Sequence, residues 1–314
     1  MRHGPGALGG VKPVERAMAH VGREGIRLTP HTRCRLIVNA DDYGLTPKVN
    51  RGIEAAHDRG VVSSTSVMAN QMSSEEAADL RRRYPQLGVG LHLTLTLGKP
   101  VCGAARVPSL VDSSGRFLTR QALVERLHAG GVKAAEVSDE CAAQLERLRV
   151  IGVEPDHWNG HQHIQEWGPI GPIIAQTMTR CGIGVTRNSR RLLIGFGPAR
   201  PLAVGRDRRR KGVRGEIAAL QLMPDGLLEQ PPRDWGRIAA SLPAGSVVEA
   251  LCHPGETDDD EVAALTPALV AGRLRDLNEL TDARLSDALA GHSIQLVTFA
   301  DCFGDSTPTL ARGG

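Results

Sequence analysis

Aromatic residues are scarce in this 314-residue chain, at 3% of the sequence, so Val, Leu, Ile and Ala must fill most of its core. Hydrophobic residues still make up 41% of the chain, which is ample for one large core, although the length alone permits one domain or two. Positive and negative charges nearly balance, leaving a net charge of +3. A charge so close to neutral does not favour nucleic-acid binding as the main activity.

Closely spaced cysteine pairs and long apolar runs are also missing. The 6 cysteines are far apart, with no CxxC pair, which argues against a zinc ribbon or a dense disulfide framework. No apolar run approaches the roughly 18 residues of a membrane helix, and residues 1–33 lack the apolar segment of a signal peptide. We therefore predict a cytoplasmic protein with a flexible tail at residues 1–33, one folded domain at 34–305 and a second tail at 306–314.

Short β-branched runs alternate with helical patterns along this domain. The predicted strands are Arg35–Asn39, Val61–Ala69, Val89–Leu95, Asp156–His163, Gly184–Arg187, Glu216–Met223, Val247–Cys252 and Ile294–Phe299. The predicted helices are 47–59, 74–84, 119–128, 134–150, 168–181 and a long pattern over 259–289 that Pro267 interrupts. Thr46 and Ser73 or Ser74 are the expected N-caps of the first two helices, and Pro47 suits a first helical position.

Seven or eight strands, each followed by a helix or loop, predict an α/β fold with mostly parallel strands. An open doubly wound sheet and a (β/α) barrel-like sheet both fit this order. The polar residues with chemical potential follow the first, third, fourth and seventh strands. A barrel brings many strand ends to one face, whereas an open sheet gathers fewer at its switch point, so the pattern favours the barrel-like fold.

Two adjacent carboxylates, Asp41 and Asp42, follow the first predicted strand. Carboxylates at the end of an apolar strand are costly unless they face water or a cation. One of the two can ligate a metal while the other accepts a proton. The alternative is an ordinary turn, because Asn, Asp and Gly are common turn residues.

Histidines supply the remaining candidate metal ligands. His92 lies in a strand pattern on the side opposite to the leucines. In extended backbone, residues i and i+2 point to the same side, so His161 and His163 can both face one cavity. Two imidazoles and one carboxylate form a common divalent-metal site with open positions for water and substrate. Each histidine could instead be a satisfied core or surface group.

Two further polar residues follow later strands. His253 stands at a strand end before Pro254 and Gly255, where a rigid turn would hold it as a general acid or merely form the turn. Arg187 follows a short strand and could bind a sugar hydroxyl or carboxylate, or be a surface charge. Four signals thus lie at or near the ends of apolar predicted strands: the carboxylate pair, His92, the pair His161 and His163, and His253. Together they indicate one site more strongly than each does alone.

These residues carry a resemblance to a known family. The sequence resembles the YdjC-like carbohydrate deacetylases, which include chitooligosaccharide (chitin disaccharide) deacetylase. The similar segments appear in the family's order between about residues 34 and 303, and they are Leu36–Gly44, Gly52–Ile53, Gly60–Met68, Gly88–Leu93, Gly160–His163 and His253–Gly255.

The resemblance implies a barrel-like catalytic domain related to the polysaccharide deacetylases, with one divalent metal held by an aspartate and two histidines. The implied metal ligands are Asp42, His92 and His161. Asp41 would then be the catalytic base and His253 the acid that protonates the leaving amine. His163 would contact substrate or replace His161 as the ligand.

The expected reaction is removal of an acetyl group from an N-acetylated sugar, with zinc or magnesium as the metal and with no nucleic-acid or membrane partner. A homo-oligomer is compatible with the sequence. The alternatives are a metal-dependent esterase or glycoside hydrolase on the same barrel, or a non-catalytic sugar-binding protein. The sequence departs from the family at Asn159, where an aspartate is common, and at Gln165, where a further histidine often stands. Both changes suggest a substrate other than the simple chitin disaccharide.

Overall fold

A parallel sheet forms the centre of the molecule, as seen in a computed structural model. The structure describes residues 34–193, 200–201, 208–229, 235–242, 244–256 and 267–304. The strands are β1 (Cys34–Tyr43), β2 (Ser64–Val67), β3 (Gly88–Leu93), β4 (Trp158–Gly160), β5 (Leu192–Leu193), β6 (Arg200–Pro201), β7 (Gly226–Glu229), β8 (Val247–Cys252) and β9 (Ile294–Leu296). Seven of them form one sheet in the order β4-β3-β2-β1-β8-β7, with β9 beside β1, and all of its pairs are parallel.

Helices separate most of these strands. They are α1 (Pro47–Asp58), α2 (Ser74–Arg83), α3 (Arg120–His128), α4 (Ala134–Val150), α5 (Ile170–Arg180), α6 (Arg208–Ala218), α7 (Trp235–Ser241), α8 (Pro267–Leu280), α9 (Ala283–Gly291) and α10 (Phe299–Phe303). The predicted starts of α1 and α2 are confirmed, because Thr46 accepts from the backbone N–H of Val49 and Ser73 forms a capping box with Glu76.

One extended segment links the two outer strands of the sheet. Thr186 forms a single parallel bridge with Trp158 of β4, and Arg191 forms one with Leu227 of β7. The same segment also contacts the chain before β7, where the N–H of Thr186 donates to the carbonyl of Leu222. The sheet is therefore curled into a partial barrel, and the predicted α/β barrel-like fold with parallel strands is confirmed.

Several predicted elements have other bounds or another type. Residues 216–218 belong to α6 and not to a strand, while β7 was not predicted. The segment 184–187 makes only single bridges. Pro267 begins α8, while the part of the helical prediction over 259–266 lies outside the described residues, and Phe299 begins α10 instead of ending a strand. Residues 257–266 and both predicted tails lie outside the described residues, so the domain limits stay a prediction.

The long segment between β3 and α3 is anchored to α4 by a buried carboxylate. Glu140, which is fully buried, accepts hydrogen bonds from the backbone N–H groups of Val101 and Cys102 at 2.9 and 3.0 Å. Gln144 of the same helix bonds both backbone groups of Thr94. These contacts fix the chain directly after the strand that carries His92.

Among the described residues, no helix is long and apolar enough to cross a membrane.

Candidate active site

Asp41 and Asp42 lie within the last residues of β1, where its pairing with β2 is irregular. The pairing shifts between Ala40 and Tyr43, and Asp42 has a φ of 74°. This left-handed conformation is uncommon for a residue other than glycine and is often found at functional sites. The irregularity lets both neighbouring carboxylates reach the interior at the carboxyl end of the sheet, instead of pointing to opposite faces.

Asp42, His92 and His161 converge on one point. Asp42 Oδ1 lies 3.0 Å from His92 Nε2 and 3.1 Å from His161 Nδ1, and the two ring nitrogens are 3.3 Å apart. One potential ligand atom from each residue lies within 4.8 Å of the others, the only such group of three among the described residues. Strands β1 and β3 and the segment after β4 supply these residues, which are far apart in sequence.

The surrounding charges keep Asp42 ionised, and they favour the protonated form of His92, which must lose a proton when a metal binds. Burial raises the pKa of Asp42, but the charge of Arg273 and hydrogen bonds with His161 and His92 outweigh it, so the pKa lies well below its usual value. Burial lowers the pKa of His92, yet Asp41 and Asp42 raise it overall. Asp42 is therefore an ionised carboxylate, the form that ligates cations.

Asp41 is held by a dense set of donors. Its Oδ1 accepts from Arg187 Nη2 at 2.7 Å, Asn39 Nδ2 at 2.8 Å, Ser66 Oγ at 3.0 Å and Asn159 Nδ2 at 3.2 Å. Its Oδ2 accepts only from Arg187 Nη1, at 2.7 Å, among the described residues. Burial alone would raise the pKa of Asp41. The charges of Arg187 and His92 outweigh this effect, so the pKa lies well below its ordinary value.

Arg187 connects Asp41 to a second buried acid. Its Nε lies 2.7 Å from Glu249 Oε1, and its side chain is fully buried between the two carboxylates. Glu249 is the one acidic residue in the apolar strand β8, and a buried acid in such a run requires a partner. The geometry makes Arg187 a support for Asp41, while its predicted contact with substrate stays a prediction.

The amide of Asn159 bridges His92 and Asp41. Asn159 Oδ1 lies 2.6 Å from His92 Nδ1, and Ser66 Oγ lies 3.2 Å from the same nitrogen. Asn159 therefore supports the metal-ligand candidate although it lacks the charge of the aspartate common in the family. Sequence reasoning did not single out Ser66, which lies in a run of small polar residues.

The segment after β4 is not extended, which corrects the predicted strand over 156–163. β4 ends at Gly160, and the chain over His161–Glu166 forms tight 3-10-type turns that are interrupted at Gln162 and His163, whose φ values are 54° and 56°. The two histidines therefore do not share one side of a strand. His161 joins the ligand group, whereas His163 Nε2 lies 3.2 Å from Glu229 Oε1 at the end of β7. Its predicted contact with substrate stays a prediction.

His253 follows β8 directly, as predicted. A close contact between Gly52 of α1 and Gly255 positions the turn that contains it. A Cβ atom on Gly52 of α1 would lie only 2.4 Å from the Cα of Gly255, so the turn packs against the helix backbone. Asp276 of α8 accepts from the backbone N–H of His253 at 2.8 Å. Burial lowers the pKa of His253 to about 4, although the nearby Asp42 and Asp41 raise it.

Arg273 of α8 completes the site, and sequence reasoning missed it. The side chain is 3% exposed and donates through Nη2 to Asp42 Oδ2. Gly255 packs against the stem of Arg273. An arginine in a charged helical pattern gives no sequence signal that distinguishes it from a surface residue.

The buried charges of the site do not cancel. Three acids and two arginines, with the histidines counted as neutral, leave one net negative charge, and these residues are Asp41, Asp42, Glu249, Arg187 and Arg273. An uncompensated buried charge is costly. This negative charge attracts a cation to the ligand group, and a divalent ion would change the count from −1 to +1.

Comparison with known proteins finds matches over most of this chain. A family model described as YdjC-like protein matches residues 35–291. A solved structure from Enterococcus faecalis V583, of a protein named for cellobiose-phosphate cleavage, is similar with a TM-score of 0.70 and 25% identity. The match covers 86% of this chain and 99% of that one.

Curated relatives cover most of the chain as well. The carbohydrate deacetylase of Geobacillus stearothermophilus is 32% identical, over 85% of this chain and 97% of its own. The carbohydrate deacetylase of Mus musculus is 33% identical, over 86% and 95%. The chitooligosaccharide deacetylase of Klebsiella pneumoniae strain 342 is 32% identical, over 85% and 98%.

Proposed function

This chain belongs to the YdjC-like protein family, and we propose on that basis that it is a metal-dependent hydrolase that removes the acetyl group from an N-acetylated sugar. One observation carries the proposal: a ligand group of one carboxylate and two imidazoles lies directly beside a second, supported carboxylate. The relatives named carbohydrate and chitooligosaccharide deacetylase supply the substrate class.

The residues fit a divalent metal. Asp42, His92 and His161 would hold it, with one oxygen and two nitrogen donors, a set that suits zinc and also admits magnesium or other ions. When bound, such an ion polarises a carbonyl oxygen and lowers the pKa of a coordinated water. The single net negative charge of the buried groups also favours a cation at this place.

Asp41 is the proposed base, and its contacts indicate which atom acts. Oδ1 already accepts from four donors, whereas Oδ2 accepts only from Arg187 among the described residues. Oδ2 therefore keeps a lone pair for the proton of the attacking water. Arg187 holds the carboxylate in one orientation, which general base catalysis requires.

His253 is the proposed acid for the leaving nitrogen. Since its pKa is lowered to about 4, the ring is neutral near pH 7 and must receive a proton before it can donate one. We propose that His253 takes up a proton from solvent when substrate binds and passes it to the nitrogen as the C–N bond breaks. The proton that Asp41 took from the attacking water then leaves to solvent, which restores both groups. Acetate and the free amine are then the products.

Acetate release provides the direct test. A panel of N-acetylated sugars, in which N-acetylglucosamine and N,N'-diacetylchitobiose are two members, is incubated with the metal-loaded protein, and acetate is measured with and without a chelator. We expect release that the chelator abolishes. Asp41→Asn should lower kcat by at least about 100-fold while metal binding persists.

The outcomes separate the alternatives. Asp41→Asn turnover at the wild-type rate with metal bound would refute the role of Asp41. Acetate release from O-acetylated sugars alone would indicate an esterase, and cleavage of the glycosidic bond would indicate a glycoside hydrolase. Binding without any product would indicate a sugar-binding protein.

A further inference from the structure

Two buried side chains each contact both the proposed base and a metal-ligand candidate. Asn159 lies 3.2 Å from Asp41 Oδ1 through Nδ2 and 2.6 Å from His92 Nδ1 through Oδ1. Ser66 Oγ lies 3.0 Å from Asp41 Oδ1 and 3.2 Å from the same His92 nitrogen. Both bridging residues have 0% exposure, so water does not compete for these contacts.

The chemistry of Asp41 sets the direction of every one of these hydrogen bonds. The Arg187 guanidinium binds both carboxylate oxygens, and an ionised carboxylate only accepts. The hydroxyl of Ser66 and the amide N–H of Asn159 must therefore donate to Asp41. Each side chain then presents an oxygen to His92.

Two oxygens facing one ring nitrogen determine where the proton of the imidazole lies. His92 Nδ1 must carry the hydrogen, because Oδ1 of Asn159 has none to give and the hydroxyl hydrogen of Ser66 is already directed to Asp41. The other nitrogen, Nε2, is then the one that can offer a lone pair to a metal ion, whereas without the ion it donates to the Asp42 carboxylate. Nε2 is also the atom that lies 3.0 Å from Asp42 Oδ1, within the ligand group.

We propose that Ser66 and Asn159 are positioning residues that join the base to the metal ligand and fix His92 with Nδ1 protonated and Nε2 as its metal-binding atom. This inference rests on the proposed function, because it takes Asp41 and His92 as parts of one site. It adds a physical link between them: the carboxylate that accepts the proton of the water also dictates the tautomer of a ligand.

An amide at position 159 serves both neighbours, and a carboxylate cannot. Asparagine offers a donor to Asp41 and an acceptor to His92. An aspartate would still accept from His92 Nδ1, but it would place a second negative charge about 3 Å from Asp41. Asn159 is therefore suited to a site in which one side chain contacts both the base Asp41 and the ligand His92.

Metal affinity tests the support given to His92. Cadmium or zinc titrations compare Asn159→Leu, Asn159→Asp and the control Asn188→Leu, which removes a buried asparagine bonded to Pro224 and Arg190 instead. We expect Asn159→Leu to weaken binding about 10- to 100-fold, and both Asn159→Asp and the control to remain close to wild type. Equal affinities for the Leu and Asp variants would overturn the proposal, since a packing role does not distinguish an acceptor.

Ser66→Ala is the second variant, in case Asn159→Leu does not fold. It removes the longer of the two contacts to Nδ1, so a smaller loss of affinity is expected. An affinity equal to wild type in both Ser66→Ala and Asn159→Leu would contradict the inference.

The tautomer itself is observed by NMR of protein labelled with ¹⁵N-histidine and loaded with ¹¹³Cd. The His92 signal is identified by its loss in His92→Gln. We expect a one-bond cadmium coupling to Nε2 and a protonated Nδ1, and a coupling to Nδ1 would overturn the inference. Neither measurement uses turnover, so absent deacetylation with coupling at Nε2 would reject the proposed function alone.

Discussion

At the scale of single residues, Arg187 is the group on which two buried acids depend. Asp41 and Glu249 both pair with it, and all three side chains are at most 3% exposed. Replacing the arginine would leave two carboxylates in a closed interior without a counter-charge. Removing one partner of a buried ion pair typically costs about 3–5 kcal/mol.

We therefore expect Arg187→Met to lower the free energy of unfolding by about 3–5 kcal/mol, measured by urea denaturation near pH 7 with a chelator present. The double variant Arg187→Met/Glu249→Leu should recover part of this loss, because one of the unpaired charges is gone. Arg284→Met breaks an exposed pair with Asp282 and should leave the stability close to that of wild type, because solvent screens such pairs. Equal losses for Arg187→Met and Arg284→Met would contradict the assigned role of Arg187.

Residue types and spacing locate some of this chemistry in the sequence, but not its supports. Asp41, Asp42, His92 and His253 stand out because polar groups at the ends of apolar strands need a reason. Arg273 reaches the site only because α8 packs against the His253–Gly255 turn, a long-range contact that no local pattern records. Arg187 stands out by its place after a short predicted strand, but its pairing with Asp41 and Glu249 was not predicted.

At the scale of elements, close contact between α1 and the turn after β8 positions His253. A Cβ atom at position 52 would lie 2.4 Å from the Cα and 2.7 Å from the N of Gly255. Both are backbone atoms, so the added methyl group can be accommodated only by moving the turn. This contact explains why glycine stands both at position 52 and at position 255, after His253 and Pro254.

Gly52→Ala should lower the free energy of unfolding by about 1–3 kcal/mol and reduce kcat, because His253 is displaced with its turn. The matched control is Gly212→Ala in α6, where an added Cβ atom meets nothing within 4 Å and should be neutral or stabilise by up to about 1 kcal/mol. Chemical denaturation and acetate release measure the two effects. A Gly52→Ala protein with the stability and kcat of wild type would show that the turn is not held in this way.

The junction between α8 and the same turn gives a pH dependence. Burial raises the pKa of Asp276 to about 6 and Glu279 adds to it, while the His253 N–H and the charges of Arg273 and Arg275 lower it. Between the ordinary value of 3.8 and about 6, the folded protein keeps a proton that the unfolded chain has lost. This group therefore makes stability fall as the pH rises through that window, by at most about 3 kcal/mol.

Asp276→Asn keeps an oxygen for the His253 N–H but removes the titration. We expect the variant to match wild type near pH 4 and to be the more stable protein near pH 7. Urea unfolding of both proteins at several pH values gives the difference, in which the contributions of other carboxyl groups cancel. A stability difference that does not change between pH 4 and pH 7 would rule out the raised pKa.

Elements differ in how well the sequence predicts them. Thr46, Pro47 and Ser73 mark helix starts by local chemistry, and those starts are correct. The segment after Gly160 was wrongly taken as extended, because its left-handed turn at Gln162 and His163 involves residues that rarely adopt that conformation. Such a turn is maintained by surrounding contacts, among them the one between His163 and Glu229.

At the scale of the whole molecule, the curled sheet converts distant segments into one site. Asp42 comes from β1, His92 from β3 and His161 from the chain after β4, so the ligand group exists only when three neighbouring parts of the sheet are assembled. The order of strands and helices predicts such a parallel sheet, since the carboxyl ends of its strands meet at one face. Barrel closure is only partly predictable from the sequence, because the predicted strand Gly184–Arg187 includes the bridging residues Val185 and Thr186 but not Arg191.

A ligand group assembled by the fold couples metal binding to global stability. An ion that binds the folded chain and not the unfolded one stabilises it by about 2.7 kcal/mol at a free concentration 100 times the Kd. For a domain of this size, that energy corresponds to a rise in Tm of roughly 5–10 °C. We expect zinc or magnesium to raise the Tm of the wild type by this amount, and a chelator to reverse it.

The variants identify the site responsible. His92→Gln and Asp42→Asn should lose most of the metal-dependent rise in Tm, because each removes one of the three ligand atoms. His128→Gln, which changes an exposed histidine of α3, should keep the full rise. An equal rise in Tm in His92→Gln and in wild type would place the stabilising ion elsewhere on the molecule and would refute the proposed ligand group. A rise that occurs only in proteins with all three ligands would place the ion where β1, β3 and the chain after β4 meet.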